Sequence, residues 1–193
     1  IEVAKGLPTT VVASSRDINL AKEAQNAIMS ENLRVYTSED IIGVELGGSL
    51  KNIIAIAAGI SDGLGFGANS KAAILTRGLA EINRLGTAMG ARRETFSGLS
   101  GMGDLITTCI SPYSRNRWFG EMLGKGKRAK DALKETEMVV EGVTTSRSAY
   151  ELSGKYNVDM PITHEIYNVL YGDKLPKNAV KDLMLRSPKQ EHY

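Results

Sequence analysis

A single lysine, Lys51, lies near the middle of the apolar stretch VELGGSLKNIIAIAAGISDG, residues 44–63. The stretch has the composition of a buried helix, in which an ammonium group is unfavourable unless a partner compensates it. On a helical wheel Lys51 shares an arc with small residues, including Gly47 and Gly59. Either these residues allow close helix packing while Lys51 reaches solvent, or they leave a hollow for the ammonium group. In the second case Lys51 can exchange protons with a ligand, and Asn52 can orient a polar group.

A carboxylate follows the glycine-rich segment at residues 98–103, in the motif GLSGMGDLITTC. The glycine spacing differs from that of a dinucleotide-binding fingerprint, and no predicted strand precedes it. Asp104 is therefore either a simple helix N-cap or a carboxylate that uncrowded backbone brings close to a ligand. In the second case it is a natural partner for Lys51.

The motif SPYSRNRW, residues 111–118, places two arginines at a predicted helix start. Ser114 has the properties of an N-cap, so Arg115, Asn116 and Arg117 fall in the first turn. Cations there oppose the helix dipole unless an anion such as phosphate is bound at the helix N-terminus. The alternative is that both arginines are solvated surface residues.

Other signals in the sequence are weaker. The motif MVVEG at residues 138–142 indicates, by itself, a buried turn. Cys109, His164 and His192 are too few soft ligands for a structural zinc site, and we expect no metal. The distance in sequence between Cys109 and His164 favours structural roles over thiol catalysis. A single cysteine excludes an internal disulfide and is typical of a reducing compartment.

The overall composition of the 193 residues is that of a protein that can bury a real core, with 42% hydrophobic residues. A net charge of +2 gives no electrostatic reason to expect nucleic-acid or membrane-surface binding. We find no secretory signal and no apolar run of about 18 residues free of glycine and charge, so we expect no membrane span and a cytoplasmic location. The chain begins with Ile1 rather than methionine, so we expect either a fragment of a longer protein or a processed chain.

The elements that position these residues divide the chain in two. Residues 7–15 and 33–37 predict strands and residues 16–30 a helix, which together form a β-α-β unit too small to be a sheet of its own. The rest is predicted to be helical, so the expected fold is mainly α, with a boundary between residues 1–38 and 39–193. The predicted helices cover about residues 39–61, 70–90, 104–109, 115–123, 129–136, 144–156, 164–171 and 176–185.

Together these motifs resemble the bacterial NAD(P)-dependent glycerol-3-phosphate dehydrogenases. The resemblance covers essentially the whole chain and is strongest in VELGGSLKNIIAIAAGISDGLGFGANSKAAILTRGLAE, GLSGMGDLITTC, SRNRWFG and MVVEGV, in the family's order and spacing. It implies a Rossmann-type dinucleotide domain followed by an all-helical substrate domain, with the active site between them. Residues 1–38 then correspond to the last β-α-β part of the first domain, whose glycine-rich loop is missing, and residues 39–193 to the second.

The resemblance also implies roles on the substrate side. The family's proton-transferring lysine, which also binds substrate, falls on Lys51, and its substrate-binding aspartate on Asp104. The contacts to glycerol phosphate fall on Ser114, Arg115 and Asn116.

On the cofactor side, the resemblance implies NAD or NADP, with contacts from Arg115, Val139 and Glu141. Asn52 and Thr108 match positions that surround the substrate in related eukaryotic enzymes. This similarity is weaker support for a role in binding substrate than the similarity to the bacterial family.

The implied reaction interconverts sn-glycerol 3-phosphate and dihydroxyacetone phosphate with NAD(P)(H) and feeds glycerophospholipid synthesis. The resemblance also suggests a homodimer. Two alternatives remain. A β-hydroxyacid or 6-phosphogluconate-type dehydrogenase also combines a Rossmann domain with helices and a lysine, although SRNR and GMGDL argue against it. A non-catalytic helical module that binds a phosphorylated ligand, or only dimerises, is the other.

Overall fold

The computed structural model describes residues 2–191, and it is helical except for a β-α-β unit at its start. The predicted mainly α fold is confirmed. Short 3₁₀ segments occur at Val3–Lys5 and Arg93–Ser97, and a π-helical segment at Leu99–Gly103. The strands and α-helices are β1 (Thr9–Ser14), α1 (Ile18–Ile28), β2 (Leu33–Ser38), α2 (Ile41–Gly63), α3 (Ala68–Ala88), α4 (Asp104–Ile110), α5 (Arg115–Gly124), α6 (Ala129–Lys134), α7 (Glu141–Lys155), α8 (Pro161–Tyr171) and α9 (Pro176–Met184).

The β-α-β unit consists of two parallel strands with α1 packed against them. The strands pair in register from Thr9 with Leu33 to Ser14 with Ser38. The Gln25 amide on α1 donates a hydrogen bond of 2.7 Å to a carbonyl of β2. Two strands are too few to form an independently stable sheet, so this unit depends on further packing.

Helix α2 is the central helix of the fold. Within residues 2–191 it is the one helix long and apolar enough to span a membrane, with a mean hydropathy of 1.5 in its most apolar window. However, 56% of that window is buried inside the protein, against α3, α4, α5 and α7. Burial on most of its circumference is typical of a core helix.

The start of α2 is fixed by Asp40. Its Oδ1 accepts a hydrogen bond of 2.9 Å from the backbone N–H of Gly43, and its Oδ2 accepts from Thr95 Oγ1 at 2.6 Å and from the Arg92 N–H at 2.9 Å. Burial acts to raise the pKa of Asp40, but these hydrogen bonds hold it below its ordinary value. The cap therefore also anchors the loop that precedes the π-helical segment.

Helices α2 and α5 pack backbone against backbone through glycines. A Cβ on Gly59 would lie 1.9 Å from the carbonyl oxygen of Arg117, and a Cβ on Gly120 would lie 2.1 Å from that of Ile56. Neither position has room for a side chain, because the nearest atoms belong to the partner backbone. This close approach sets the distance between the two helices that carry most of the predicted site.

The arc of small residues beside Lys51 is therefore mostly a packing surface. A Cβ on Gly47 would lie 2.3 Å from the carbonyl oxygen of Ser100, and Gly59 is occupied by α5. Interpreting the arc as a hollow is wrong for these two glycines. Gly48 differs, because a Cβ there would meet nothing within 4 Å.

A buried glutamate, Glu81 on α3, caps the N-terminus of α8. Its carboxylate accepts hydrogen bonds from the backbone N–H of Ile162 at 2.6 Å and from the N–H and hydroxyl of Thr163 at 3.0 and 2.9 Å. Burial nevertheless raises the pKa of Glu81 from its ordinary value of 4.5 to about 7. The desolvated carboxylate is thus easier to protonate in the folded chain than in the unfolded chain.

This difference predicts a pH-dependent stability. Because the folded pKa of Glu81 lies above the unfolded one, its contribution is fully present below pH 4.5 and is lost as the pH rises through about 7. The total loss is of the order of 3 kcal/mol. Glu81→Gln should flatten this part of the profile, measured as the free energy of unfolding in urea from about pH 4 to about pH 8. Glu151→Gln, at an exposed position of α7, should leave the slope unchanged; equal slopes in all three proteins would contradict the assignment.

Candidate functional site

The centre of the candidate site is an ion pair between Lys51 on α2 and Asp104 at the start of α4. The Lys51 Nζ contacts Asp104 Oδ2, and the two side chains are 19% and 37% exposed. The carboxylate therefore compensates the ammonium group in the apolar helix, while both remain accessible from one side. Asp104 is not a simple N-cap: Gly103 holds that position, and Asp104 is the first helical residue.

The π-helical segment Leu99–Gly103 leads directly into α4 and positions Asp104. A Cβ on Gly101 would lie 2.2 Å from the carbonyl oxygen of Phe96, so only glycine allows the chain to turn so tightly there. Thr108, one turn further along, donates a hydrogen bond of 2.7 Å to the Asp104 carbonyl and lies 3.4 Å from its Oδ1. π-Helical turns are frequent at functional sites.

Buried amides connect the pair to two further helices. The Asn52 amide donates to Glu141 Oε2 at 3.1 Å, Asn116 donates to Asn52 Oδ1 at 3.0 Å, and the N–H of Gly142 donates to Asn116 Oδ1 at 2.9 Å. We call these four residues the amide network. It joins α2, α5 and α7, and it turns the polar groups of both asparagines mainly toward each other and toward α7.

At the start of α5 the two arginines separate. Ser114 is the N-cap, as predicted, and its hydroxyl accepts from the Arg117 N–H at 3.3 Å. The Arg117 Nε instead binds Asp62 Oδ2 at 2.9 Å, away from the helix N-terminus. Arg115 remains there, half exposed, with Nη2 at 3.7 Å from Glu141 Oε1. Of the two, only Arg115 is placed to meet a ligand at the N-terminus of α5.

The segment before α7 is exposed in part. Met138 and Val139 are 60% and 69% exposed whereas Val140 is buried, so interpreting MVVEG as a buried turn is wrong for its first two residues. Val139 lies two residues before Glu141 in the sequence, and Glu141 in turn lies 3.7 Å from Arg115.

The remaining candidates are not arranged for thiol or metal chemistry. Cys109 is buried on α4, and burial raises the pKa of its thiol to about 12, which leaves almost no thiolate at neutral pH. His164 on α8 is 2.7 Å from the Ser153 hydroxyl. His192 lies outside the described residues, within which no group of three or more histidine, cysteine or acidic residues could hold a metal.

The amide network and the π-helical segment are what sequence reasoning missed. Asn52 and Glu141 are separated by 89 residues, so no local pattern predicts their hydrogen bond. The only sequence signal for the π-helical segment is the glycine at position 101, whose close contact with residue 96 becomes evident once the chain is folded.

Comparison with known proteins agrees with this arrangement. The family described as "NAD-dependent glycerol-3-phosphate dehydrogenase C-terminus" matches residues 40–181. A glycerol-3-phosphate dehydrogenase (NAD(P)+) of Salinibacter ruber is 53% identical over 192 residues, which is 100% of this chain and 56% of that protein. Its counterpart from a Thermoanaerobacter species is 56% identical over 190 residues, or 98% of this chain and 58% of the relative.

Solved structures give the same result. The crystal structure of glycerol-3-phosphate dehydrogenase from Coxiella burnetii matches with a TM-score of 0.92 and 43% identity, covering 96% of this chain and 57% of that one. This chain thus spans a little over half the length of the relatives that it matches. With its central helix, its lysine–aspartate pair and the matched residues 40–181, the chain belongs to the family of the NAD-dependent glycerol-3-phosphate dehydrogenases, in their C-terminal part.

Proposed function

We propose that this chain forms the substrate half of an enzyme that interconverts sn-glycerol 3-phosphate and dihydroxyacetone phosphate with NAD(P)(H). The carrying observation is the hydrogen bond of 3.0 Å between Asn116 and Asn52. Lys51 directly precedes Asn52 and Arg115 directly precedes Asn116, so this bond fixes a proton-transfer group and an anion-binding group on either side of one site. The relatives' names support the same activity.

Lys51 is the proposed proton carrier. Its ammonium group gives a proton to the C2 carbonyl oxygen of dihydroxyacetone phosphate during reduction, and its amine takes the proton from the C2 hydroxyl during oxidation. Asp104 binds substrate and holds Lys51 in position through the ion pair. Thr108, one turn further along α4, donates a hydrogen bond to the Asp104 backbone carbonyl.

The N-terminus of α5 is the proposed phosphate site. Helix α5 supplies no acceptor for the N–H groups of its first turn, and Ser114 satisfies only that of Arg117. The N–H groups of Arg115 and Asn116 can therefore bind phosphate, together with the Arg115 guanidinium. Binding energy from this remote group orients C2 of the substrate at Lys51.

Arg115, Val139 and Glu141 fit a nicotinamide dinucleotide, NAD or NADP. Arg115 offers a cation for a phosphate, Glu141 an acceptor for a hydroxyl, and Val139 an apolar contact for a ring. When bound, this cofactor supplies or accepts the hydride. Glu141 also receives the Asn52 amide, so the proposed cofactor and substrate contacts share one network.

The test is a hybrid in which residues 39–193 replace the matching part of the Thermoanaerobacter relative. We expect oxidation of NADH or NADPH that depends on dihydroxyacetone phosphate and is absent with β-keto acids. A folded hybrid that binds dihydroxyacetone phosphate but never turns it over would support the non-catalytic module instead.

We also propose that the whole protein is a cytoplasmic homodimer that feeds glycerophospholipid synthesis. Sedimentation of the hybrid tests the dimer.

Arg115→Ala in the hybrid should raise the KM for dihydroxyacetone phosphate about 10- to 100-fold, because charge-assisted hydrogen bonds to phosphate are lost. We expect a smaller change in kcat, measured by steady-state kinetics. Arg128→Ala is the matched control, since Arg128 is also at a helix N-terminus and pairs with a carboxylate, Asp131, at 2.7 Å. An unchanged KM for Arg115→Ala would place the phosphate elsewhere.

A further inference from the structure

The site around Lys51 contains as many carboxylates as cations. Lys51 pairs with Asp104, and Arg115 lies with its Nη2 at 3.7 Å from Oε1 of Glu141. These four side chains therefore have a formal net charge of zero, although the ligand proposed for the N-terminus of α5 is a phosphate. Asp104 compensates an ammonium group in an apolar helix, but Arg115 is 41% exposed and needs no such partner. The position of Glu141 calls for another explanation.

The contact between Arg115 and Glu141 is loose. Its 3.7 Å exceeds the length of about 2.7–2.9 Å that is typical of a charge-assisted hydrogen bond. By contrast, Arg117 on the same helix donates from its Nε to Asp62 Oδ2 at 2.9 Å and is 20% exposed. Within residues 2–191, the carboxylate of Glu141 is the one that lies within 4 Å of the Arg115 guanidinium. Arg115 is thus attracted by Glu141 but not fixed by it.

Glu141 itself is held from another direction. Its Oε2 accepts a hydrogen bond of 3.1 Å from the Asn52 amide, and the backbone N–H of the next residue, Gly142, donates to Asn116 Oδ1 at 2.9 Å. A Cβ on Gly142 would lie 2.7 Å from the Asn52 carbonyl oxygen, so the start of α7 packs closely against α2. When the Arg115 side chain turns toward a ligand, the carboxylate therefore stays beside the N-terminus of α5.

We propose that Glu141 is a specificity-determining residue that competes, as an internal anion, with the ligand phosphate for Arg115. This inference rests on the proposed function, which places the phosphate at Arg115. In the free chain the guanidinium faces the carboxylate, and this attraction is lost when the guanidinium turns to the phosphate. Every phosphate ligand binds more weakly for this reason. A substrate that also contacts Lys51 and Asp104 compensates the loss, whereas inorganic phosphate does not.

Glu141→Gln removes the charge and keeps the shape. The glutamine oxygen can still accept the hydrogen bond from Asn52. We expect glycerol 3-phosphate to bind the variant about two- to fivefold more tightly than the parent chain, because a partly exposed ion pair no longer has to be broken. The measurement is a titration of this chain followed by NMR at low salt, and the gain should diminish at high salt. Glycerol, which lacks the phosphate, should bind both proteins equally.

The hybrid dehydrogenase gives a second measurement of the same effect. At saturating cofactor, the KM of its Glu141→Gln variant for dihydroxyacetone phosphate should fall by about two- to fivefold. A residue that only supported the structure of the site would change KM in the opposite direction. Glu141 is also the first residue of α7, where a carboxylate is favourable, so circular dichroism verifies that the variant is folded.

Glu151→Gln is the matched control. Glu151 is exposed on the same helix, ten residues and about 15 Å from Glu141, and the substitution changes the net charge of the chain equally. We expect it to leave the affinity unchanged. Combining Glu141→Gln with Arg115→Ala completes a double-mutant cycle, in which the gain from Glu141→Gln should shrink by more than half once Arg115 is absent.

The results distinguish a failure of this inference from a failure of the proposed function. If Arg115→Ala leaves the affinity for glycerol 3-phosphate unchanged, the phosphate does not bind at Arg115 and the proposed phosphate site is wrong. If Arg115→Ala weakens binding but Glu141→Gln leaves it unchanged or weakens it, the phosphate site stands and Glu141 is not a competitor. An equal gain from Glu151→Gln, or from Glu141→Gln without Arg115, would also overturn the competition.

Discussion

Lys51→Ala in the hybrid dehydrogenase is expected to lower kcat by about 10²- to 10⁴-fold, the usual contribution of a positioned general acid or base. The variant removes the only group that we assign to proton transfer at C2. The measurement is the initial rate of dihydroxyacetone phosphate-dependent NAD(P)H oxidation at saturating substrate.

The fold should tolerate this change. The Lys51 and Asp104 side chains are 19% and 37% exposed, so water can solvate the carboxylate once its partner is lost. Partly exposed ion pairs contribute only about 0–1 kcal/mol to stability. If activity is lost while the free energy of unfolding stays nearly constant, the loss therefore comes from the missing proton-transfer group and not from unfolding.

Lys51→Arg separates charge from proton transfer. A guanidinium group retains the positive charge that Asp104 requires, but it does not release a proton at any accessible pH. We therefore expect Lys51→Arg to be nearly as inactive as Lys51→Ala. Substantial turnover in the arginine variant would mean that Lys51 acts mainly through its charge.

Lys71 is the matched control for Lys51. It also lies on a helix that lines the core, is 25% exposed and pairs with an aspartate, Asp62, at 2.7 Å. Lys71→Ala removes a comparable ion pair without touching the proposed proton path, so kcat should stay within about threefold. If both alanine variants lost activity equally, or if Lys51→Ala kept near-parental kcat, the role of Lys51 as proton carrier would be wrong.

The sequence predicts most elements because their signals are local. The β-branched residues of β1 and the N-cap at Ser114 each determine structure within a few residues, and the structure confirms both predictions. Helices α7 and α8 begin three residues earlier than predicted, at Glu141 and Pro161. Helix ends depend on caps supplied by distant residues, here Glu81 for α8, and no local pattern reveals these.

The site is predictable only in part, for a related reason. Its lysine and arginine are evident from residue type and position, since each conflicts with its own helix unless a partner compensates the charge. The partner of Lys51 was foreseen as one of two possibilities for Asp104. The geometry that joins them, however, comes from contacts such as Asn52 with Asn116, which are 64 residues apart.

The glycines of α2 are a further case in which the sequence alone does not predict the packing, and substitutions at these glycines can test it. A helical wheel identifies a strip of small residues, but it does not say whether a ligand or another backbone fills the space beside them. The structure answers differently for two neighbours of Lys51, since Gly59 meets the backbone of α5 whereas Gly48 meets nothing within 4 Å. The two positions should therefore respond in opposite ways to the same substitution.

Gly59→Ala is expected to destabilise the chain by roughly 3 kcal/mol or more, as severe overpacking of a core does. The new Cβ would lie 1.9 Å from the Arg117 carbonyl oxygen and 2.8 Å from the Glu121 nitrogen, and neither backbone atom can move without separating α5 from α2. Gly48→Ala should instead stabilise the chain by about 0.5–1 kcal/mol, the usual gain for alanine over glycine within a helix.

Urea unfolding followed by far-ultraviolet circular dichroism measures both changes on this chain. Because separation of α5 would also carry Asn116 away from Asn52, Gly59→Ala should loosen the amide network, and hydrogen exchange of the Gly142 N–H, bound to Asn116 at 2.9 Å, should accelerate. Gly48→Ala should leave that exchange unchanged. Similar stabilities for the two variants would mean that α2 and α5 do not approach as closely as their glycines indicate.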